Sequence, residues 1–274
     1  MRHITQLGLA AATAMAFPLA AQAADIPAPV VKAPPPVVLV SSWTGFYFGA
    51  HAGGAWGSHT YSGGPAGDWV AFGPPLVPFL AANETPKLKS SGFVGGGQLG
   101  YNYQTGSIVW GFEADGSGLG LKKSRNTGVI SDPFGTPSVF TENAKVSWLA
   151  TARPRLGLAT NNALFFVTGG LAVGEVSSTS GLFRPLSGYN SFGSTSKTKA
   201  GWTAGGGVEY MFASNWSVAV QYLYVDLGKV SYRTTDRSLG FPTFFENLTT
   251  KTQVNLATVS VNYKFGAPSV VARY

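Results

Sequence analysis

The residues of this chain that could carry out chemistry are few. Its 274 residues include no Cys and three His, which excludes thiol nucleophiles, disulfides and Cys-ligated zinc and leaves little for a His-rich metal centre. A hydrolase or acyltransferase built on His51 or His59 would need a base, a nucleophile and an orienting group close together. No motif places a Ser and an Asp with either His, so we expect no catalytic site, no cofactor and no metal.

One glycine motif has the spacing of a phosphate-binding loop. Gly95, Gly97 and Gly100 match G-x-G-x-x-G, and Glu113 and Asp115 follow further along the chain, as in dinucleotide-binding sites. Such a site needs a helix to open at the glycines, whereas the apolar residues here keep a spacing of two through the motif. We therefore interpret these glycines as residues that relieve crowding and permit curvature in a strand.

The composition excludes several classes of protein. Charged residues make up 11% of the chain and aromatic residues 13%, whereas a soluble globular domain has about 25% charged residues. Disordered chains are rich in charge and poor in aromatics, so the chain is not expected to be disordered. No stretch beyond the N-terminus has the roughly 18 consecutive apolar residues of a membrane-spanning helix.

The N-terminus has the pattern of an export signal. Residues 1–23 contain a basic start, an apolar stretch and a small-x-small cleavage site that ends at Ala23. Residues 24–42 contain five prolines, which fix φ and favour an extended spacer. We expect residues 1–23 to be removed as a signal peptide and residues 24–42 to form a periplasmic linker. An exported chain of this kind is either a soluble all-β protein or a barrel in an outer membrane.

From Trp43 onward, apolar residues recur at every second position, in segments that are longer than most soluble strands. In one such segment Val146 and Trp148 lie on the apolar face, while Arg153 and Arg155 lie on the opposite face. The alternation predicts strands whose two faces differ in polarity.

The connections between these segments indicate the architecture. Short connections lie near 104–107, 160–163 and 213–215, and long ones near 58–88, 120–143, 177–198 and 229–250. Strict alternation of long and short connections is typical of outer-membrane barrels, with short turns in the periplasm and long loops outside. The sequence therefore predicts an all-β fold, an eight-stranded antiparallel up-and-down transmembrane β-barrel over residues 43–265.

The cost of burying charge decides which face meets lipid. A basic residue on the lipid face costs about 2–4 kcal/mol at mid-depth, and the interior of an eight-stranded barrel has room only for its own side chains. We therefore expect Trp148, Trp202 and Tyr222 to point outward and the polar face to point inward. The charged residues expected in the interior, as a structural ion network rather than a proton or solute path, are Glu113, Asp115, Arg153, Arg155 and Glu209.

Four stretches resemble a known family. They are residues 43–56, residues 153–159 with 166–172, residues 201–210, and residues 222–228 with 259–265. Together with the Pro-rich start, they resemble the outer-membrane "porin family" or immunogenic proteins of alphaproteobacteria, which are similar in shape to the OmpA barrel. The resemblance implies exposed antigenic loops, a role in envelope maintenance and no established enzyme activity.

The resemblance also implies an assembly signal. Val261, Tyr263 and Phe265 are similar to the terminal signal that the barrel-assembly machinery reads in this family. The family's chains usually end at that aromatic residue, whereas residues 266–274 follow here. Either the signal works internally or this tail is a periplasmic extension.

Basic residues near the predicted loops suggest a partner. Lys122, Lys123 and Arg125 could pair with lipopolysaccharide phosphates, and solvated loop charge is the alternative reading. No basic stripe with stacking aromatics is present, so we expect no nucleic-acid partner. The expected partners are outer-membrane lipids, lipopolysaccharide and, during biogenesis, the barrel-assembly machinery.

The predicted function is that of a non-enzymatic outer-membrane surface protein with a structural and antigenic role and a plugged lumen. A small porin-like diffusion channel is the alternative. A soluble lipocalin-like carrier and a barrel enzyme are further alternatives.

Overall fold

A computed structural model describes residues 42–238 and 240–265 together with two short segments, 38–39 and 270–271. The predicted signal peptide, most of the predicted linker and most of the predicted tail lie outside the described residues. Segments 38–39 and 270–271 pair as a short antiparallel ladder.

Eight long strands make up most of the described chain. They are β1 Gly45–Gly67, β2 Lys87–Thr105, β3 Ile108–Asn126, β4 Pro137–Thr160, β5 Ala163–Arg184, β6 Tyr189–Ala213, β7 Trp216–Arg233 and β8 Phe244–Lys264. The connection after β1 contains a 3-10 helix, Asp68–Phe72, and the helix α1, Leu76–Glu84. Short strands Ile130–Ser131 and Thr235–Asp236 add to β4 and β6. Among the described residues, no helix is long and apolar enough to cross a membrane.

The strands close into a ring. Each pairs antiparallel with its sequence neighbour, and β8 pairs with β1 from Phe244 opposite Gly67 to Lys264 opposite Tyr47. Closure leaves the ring without a free edge strand, which is what a sheet in hydrocarbon requires because lipid offers no hydrogen-bond partners. The predicted eight-stranded antiparallel barrel is confirmed.

The short turns lie where the sequence predicted them, but the long connections are shorter than expected. The turns are residues 106–107, 161–162 and 214–215, and the longer connections are 68–86, 127–136, 185–188 and 234–243. The strands continue into the predicted loops through backbone pairing, for example Thr179 opposite Ser194. Ser and Thr on both faces of these extensions give no alternation of apolar and polar residues, so the pattern did not reveal them.

The orientation of the faces agrees with the prediction. Trp148, Trp202 and Tyr222 expose 37%, 53% and 50% of their surface on the outer wall, whereas Arg153 and Arg155 expose 1% and 4%. The apolar side of each strand therefore forms the outer wall, and the charged side chains lie inside.

Two residues lie where the sequence did not place them. Val146 was expected beside Trp148 on the outer face, but it is fully buried inside. The register between β4 and β5 shifts between Val146 and Leu149, and such a bulge changes which residues face inward. His59 was expected in a loop, but it lies within β1 and is fully buried.

Candidate functional site in the barrel interior

The five predicted charged residues meet inside the barrel. Arg153 Nη2 lies 2.5 Å from Glu113 Oε1 and 2.9 Å from Asp115 Oδ2. Arg155 Nη1 lies 3.6 Å from Glu113 Oε2, and Arg155 Nη2 forms an ion pair with Glu209. Strand pairing places these groups together, because Glu113 lies directly opposite Arg153 in the β3–β4 ladder.

Neutral side chains complete this network. Tyr47 donates from its hydroxyl to Glu113 Oε2 at 2.7 Å and accepts a hydrogen bond from Arg155 at 3.2 Å. Ser217 and Asn262 donate to Glu209 Oε1 at 2.5 and 2.8 Å. The sequence analysis did not identify these three residues. Each lies on a different strand from its partner, and alternation within one strand gives no signal for such contacts.

Aromatic rings pack against the same network. The Arg155 guanidinium lies 3.7 Å from the centroid of the Phe166 ring, a favourable cation–π distance. Gly100 leaves room for Tyr47, because a Cβ at Gly100 would approach the Tyr47 ring to 2.5 Å. The G-x-G-x-x-G stretch lies wholly within β2, so no helix opens there as a dinucleotide site would need.

A Ser–His pair lies next to the ion network. His51 Nε2 is 2.8 Å from Ser117 Oγ, and His51 Nδ1 is 3.0 Å from Gln98 Oε1. A base and a nucleophile are therefore adjacent, which the sequence did not reveal. The free volume beside them is about 10 Å³, roughly the room of one water molecule, so a substrate has no space there.

The second interior histidine is tied into the wall. His59 Nδ1 lies 3.2 Å from Thr252 Oγ1, and His59 Nε2 lies 3.1 Å from Ser90 Oγ. Within residues 42–238 and 240–265, no group of three or more His, Asp or Glu side chains could hold a metal ion.

An apolar layer lies in the barrel next to the ion network, on the side away from the short turns. Its side chains come from β1 to β5, β7 and β8 and are almost completely buried. They are Ala55, Val94, Leu119, Leu121, Val146, Leu149, Ala172, Val176, Leu223, Val225, Leu227, Val230, Val254 and Leu256. This layer is an ordinary hydrophobic core, and it lies inside the cylinder rather than on the outer wall.

Each end of the cylinder holds a small cluster of buried apolar residues. At the end with the short turns, Trp43 packs with Val109, Ala159, Leu164 and Met211. The Trp43 backbone N–H donates to Gln104 Oε1 at 2.8 Å, which holds the chain across the opening. By the short-turn rule this end faces the periplasm.

At the other end the connection after β1 folds over the opening. Trp69, Leu76 and Leu80 from this connection pack with residues of β4, β5 and β6. The members of this cap cluster are Trp69, Leu76, Leu80, Phe140, Leu182 and Tyr189.

An acidic group lies beneath the cap. Glu84, at the end of α1, is almost fully buried, and neither of its carboxyl oxygens has a hydrogen-bond partner. Burial raises the pKa of Glu84 well above its ordinary value, and the Glu246 and Glu142 carboxylates raise that pKa further. Glu246 accepts hydrogen bonds from Tyr189 and Trp69 at 2.9 and 3.1 Å.

The structure does not bring the three predicted lipopolysaccharide contacts together. Lys122 is exposed on the outer wall, directly opposite Lys145. Lys123 is also exposed, but it lies opposite the buried Ala144. Arg125 instead donates to Glu142 at 3.0 Å and to the Asn83 carbonyl at 2.9 Å, because Glu142 is a buried carboxylate that needs a counter-charge.

The residues of the predicted assembly signal line the outer wall at the end of the last strand. Val261 and Phe265 are exposed there, and the Phe265 ring lies 5.3 Å from that of Tyr263 and 5.4 Å from that of Phe48. These side chains form part of an aromatic band near the short turns.

Comparisons with known proteins identify the family. A model described as the outer membrane protein beta-barrel domain matches residues 9–265. The 31 kDa outer-membrane immunogenic protein of Brucella melitensis is 36% identical over 263 residues, which cover 93% of this chain and 98% of that protein. The 22 kDa outer membrane protein of Rhizobium leguminosarum is 30% identical over 197 residues, which cover 72% and 70%.

The chain therefore belongs to the outer membrane protein beta-barrel domain family. It is a β-barrel protein of the bacterial outer membrane, as the resemblance and the alternation implied. Among solved structures, the OmpT protease of Escherichia coli gives a TM-score of 0.45 at 9% identity over 82% of this chain and 98% of that chain. OprG of Pseudomonas aeruginosa gives a TM-score of 0.41 at 9% identity, over 82% of this chain and 100% of that chain. Neither likeness is close enough to bear on function.

Proposed function

We propose that this protein is a non-conducting, non-enzymatic outer-membrane barrel that acts as a structural and surface-exposed component of the envelope. The observation that carries this proposal is the series of buried side-chain clusters along the interior. Trp43 lies at one end, the ion network and the apolar layer follow, and the cap cluster lies at the other end. A diffusion channel needs a continuous aqueous path along the axis, and these buried clusters support a closed interior instead.

The ion network supports a structural role for the charged interior. Arg153 and Arg155 each have carboxylate partners and almost no exposure. Buried charges persist only when they are paired and hydrogen-bonded, and a solute path would instead leave such groups facing water. The lack of room beside His51 and Ser117 supports a non-enzymatic role.

The outward parts of the molecule support a surface role. The strands extend far beyond the 9–11 residues or so that a tilted membrane strand needs, since β6 runs for 25 residues. The relatives in Brucella are named immunogenic proteins, and the extended outer end gives antibodies an accessible surface. We also propose lipopolysaccharide as a partner in the membrane and the barrel-assembly machinery as a partner during insertion.

Liposome swelling tests the closed interior. Proteoliposomes of the refolded protein should swell in small sugars no faster than empty liposomes, while liposomes that contain a general porin should swell rapidly. Swelling at a rate similar to that of the porin would favour the diffusion channel instead.

A deletion strain tests the structural role. Loss of the protein should increase sensitivity to detergent and bile salts, and the wild-type gene should restore resistance. A strain whose envelope resists these agents equally without the protein would contradict the role in the envelope.

A further inference from the structure

Four lysines lie close together on the outer wall where β7, β8, β1 and β2 run side by side. Lys229 is directly opposite Lys251, Lys251 is opposite Thr60, and Thr60 is opposite Lys87. One step nearer the membrane, Lys89 lies opposite Ser58. The flanking residues Leu88, Val230 and Thr250 point inward and are buried, so alternation directs all four lysines outward.

A groove lies beside two of these lysines. It has a volume of about 400 Å³ and is lined by Trp56, Gly57, Ser58, Lys87, Lys89, Ser90, Ser91 and Asn255. Its lining combines small residues with Lys87 and Lys89, and the half-exposed Trp56 lies one outward-facing position nearer the membrane than Ser58 and its partner Lys89. The groove therefore has a cationic part and an aromatic part next to each other.

Three of the four lysines make no salt bridge among the described residues. Among the described residues, the pair between Lys251 and Asp226 at 3.1 Å is the one salt bridge that any of the four lysines makes. Like charges directly opposite each other on one face of an antiparallel pair are unfavourable, and Lys229 and Lys251 have this arrangement. An anion from outside the protein would remove that cost.

The height of the groove identifies the class of anion. Trp56, Trp148 and Trp202 are exposed on the outer wall near the middle of their strands, 11 or 12 residues from the strand ends on the short-turn side. A tilted membrane strand needs about 9–11 residues, so these residues lie at the outer edge of the membrane span, where Trp side chains mark the interface. Lys89 and Lys87 lie one and two outward-facing positions beyond Trp56 in the ladder. Lipid phosphates lie at this level, and the outer leaflet of an outer membrane supplies them mainly as lipopolysaccharide.

We propose that a lipid A phosphate of lipopolysaccharide binds in this groove. Lys87 and Lys89 bind the phosphate, Lys229 and Lys251 add to the positive field, and an acyl chain packs on Trp56. Ammonium groups bind phosphate as point charges, so they need no fixed geometry. This inference rests on the proposed association with lipopolysaccharide and places it on β1, β2 and β8 rather than on Lys122, Lys123 and Arg125.

Binding of purified lipopolysaccharide to the full-length protein in an uncharged sugar detergent tests the groove. The variant K87Q/K89Q should bind about thirtyfold more weakly than wild type, since each of the two lysines near a phosphate surface contributes about 1 kcal/mol. The variant K122Q/K145Q removes the same charge from another part of the outer wall, outside the groove, and should bind within about twofold of wild type. Dephosphorylated lipopolysaccharide should bind wild type and K87Q/K89Q equally. Heat-modifiable gel migration shows that each variant is folded.

These outcomes distinguish the proposed phosphate binding in the groove from the proposed association of the protein with lipopolysaccharide. If wild type binds lipopolysaccharide and K87Q/K89Q binds equally well, the groove is wrong while the association holds. Equal weakening by the two double variants would also overturn the groove, because it would reveal a general effect of charge. If wild type binds no lipopolysaccharide at all, both the groove and the proposed association fail.

Discussion

At the scale of single residues, Glu113 is the centre of the interior. It accepts from Tyr47, forms an ion pair with Arg153 and lies near Arg155. Its two carboxylate oxygens therefore connect β1, β3 and β4. Removal of this carboxylate would cost stability, because Tyr47 and Arg153 would each lose a buried hydrogen-bond partner.

Replacement of this carboxylate tests its role. Glu113→Gln should lower the free energy of unfolding by about 1.5–3 kcal/mol, since it removes the charged hydrogen-bond partner of Arg153 and Tyr47, although Arg153 keeps Asp115 and Arg155 keeps Glu209. Urea unfolding in micelles measures the change. Glu175→Gln is a matched control, because Glu175 accepts a hydrogen bond from Ser196 at an exposed position, and its loss should cost about 0.5 kcal/mol or less. A similar small cost for Glu113→Gln would show that the ion network is not structural.

We expect Glu84 to make the cap sensitive to pH. Its pKa in the folded protein lies above the ordinary value of 4.5, so the folded state holds the proton more tightly than the unfolded state does. The contribution of the protonated Glu84 carboxyl to the stability of the folded state is complete below the ordinary pKa. It is lost as the pH rises through the raised pKa of the folded protein. The groups that face this carboxyl are Glu246 and Glu142, and Arg125 on β3 partly neutralises Glu142.

Hydrogen exchange of residues 68–86 checks this expectation. At pH 8 the backbone amides of the wild-type cap should exchange faster than those of Glu84→Gln, because the Glu84 carboxyl can ionise beneath the cap and glutamine cannot. At pH 5 this difference should be smaller. Asp68→Asn changes an exposed carboxylate in the same connection and should leave the pH dependence as in wild type. If Glu84→Gln and wild type respond to pH in the same way, another group controls the cap.

At the scale of elements, the alternation of apolar and polar residues was sufficient for the membrane-facing parts of the strands. Trp202 and Glu209 are an odd number of positions apart, and they lie on opposite faces as predicted. The rule failed at Val146, because a bulge inserts a residue that local sequence does not announce. It failed at His59 because β1 continues as a strand whose outer face is polar.

The cap could not be predicted for a different reason. Helix α1 has apolar residues and a Pro but no helical periodicity, and the part of the barrel it fills is formed by strands distant in sequence. Tyr47, Ser217 and Asn262 were missed for the same physical reason, since their partners are set by how the ring closes. The five charged residues of the interior could be predicted because the free-energy cost of placing a charged side chain in lipid excludes them from the outer wall.

The aromatic residue that follows β8, Phe265, allows a test of the proposed assembly signal. Phe265→Ala should reduce the yield of folded protein in the outer membrane several-fold, because this residue belongs to the proposed signal for the barrel-assembly machinery. Phe212→Ala removes a similarly exposed aromatic residue from β6, at the same short-turn end of the barrel as Phe265. This variant therefore controls for lost contact with lipid. Heat-modifiable migration of outer-membrane fractions measures both variants. Equal yields for the two variants would contradict an assembly signal at Phe265.

At the scale of the whole molecule, this barrel has two apolar regions with different neighbours. The outer wall meets lipid, and the inner apolar layer packs on itself as the core of a soluble domain does. The interior therefore has a core, an ion network and covers at both ends. We propose that such an interior stabilises the barrel from within and blocks the path along the axis.

Single-channel recording in planar bilayers tests this closed interior most directly. Pure refolded protein at neutral pH should give no current steps above the bare bilayer, while a general porin in the same bilayer gives large steps. A steady conductance that reappears with each insertion of the wild-type protein would contradict the account, because ions would then cross levels that Arg153, Leu149 and Trp69 occupy.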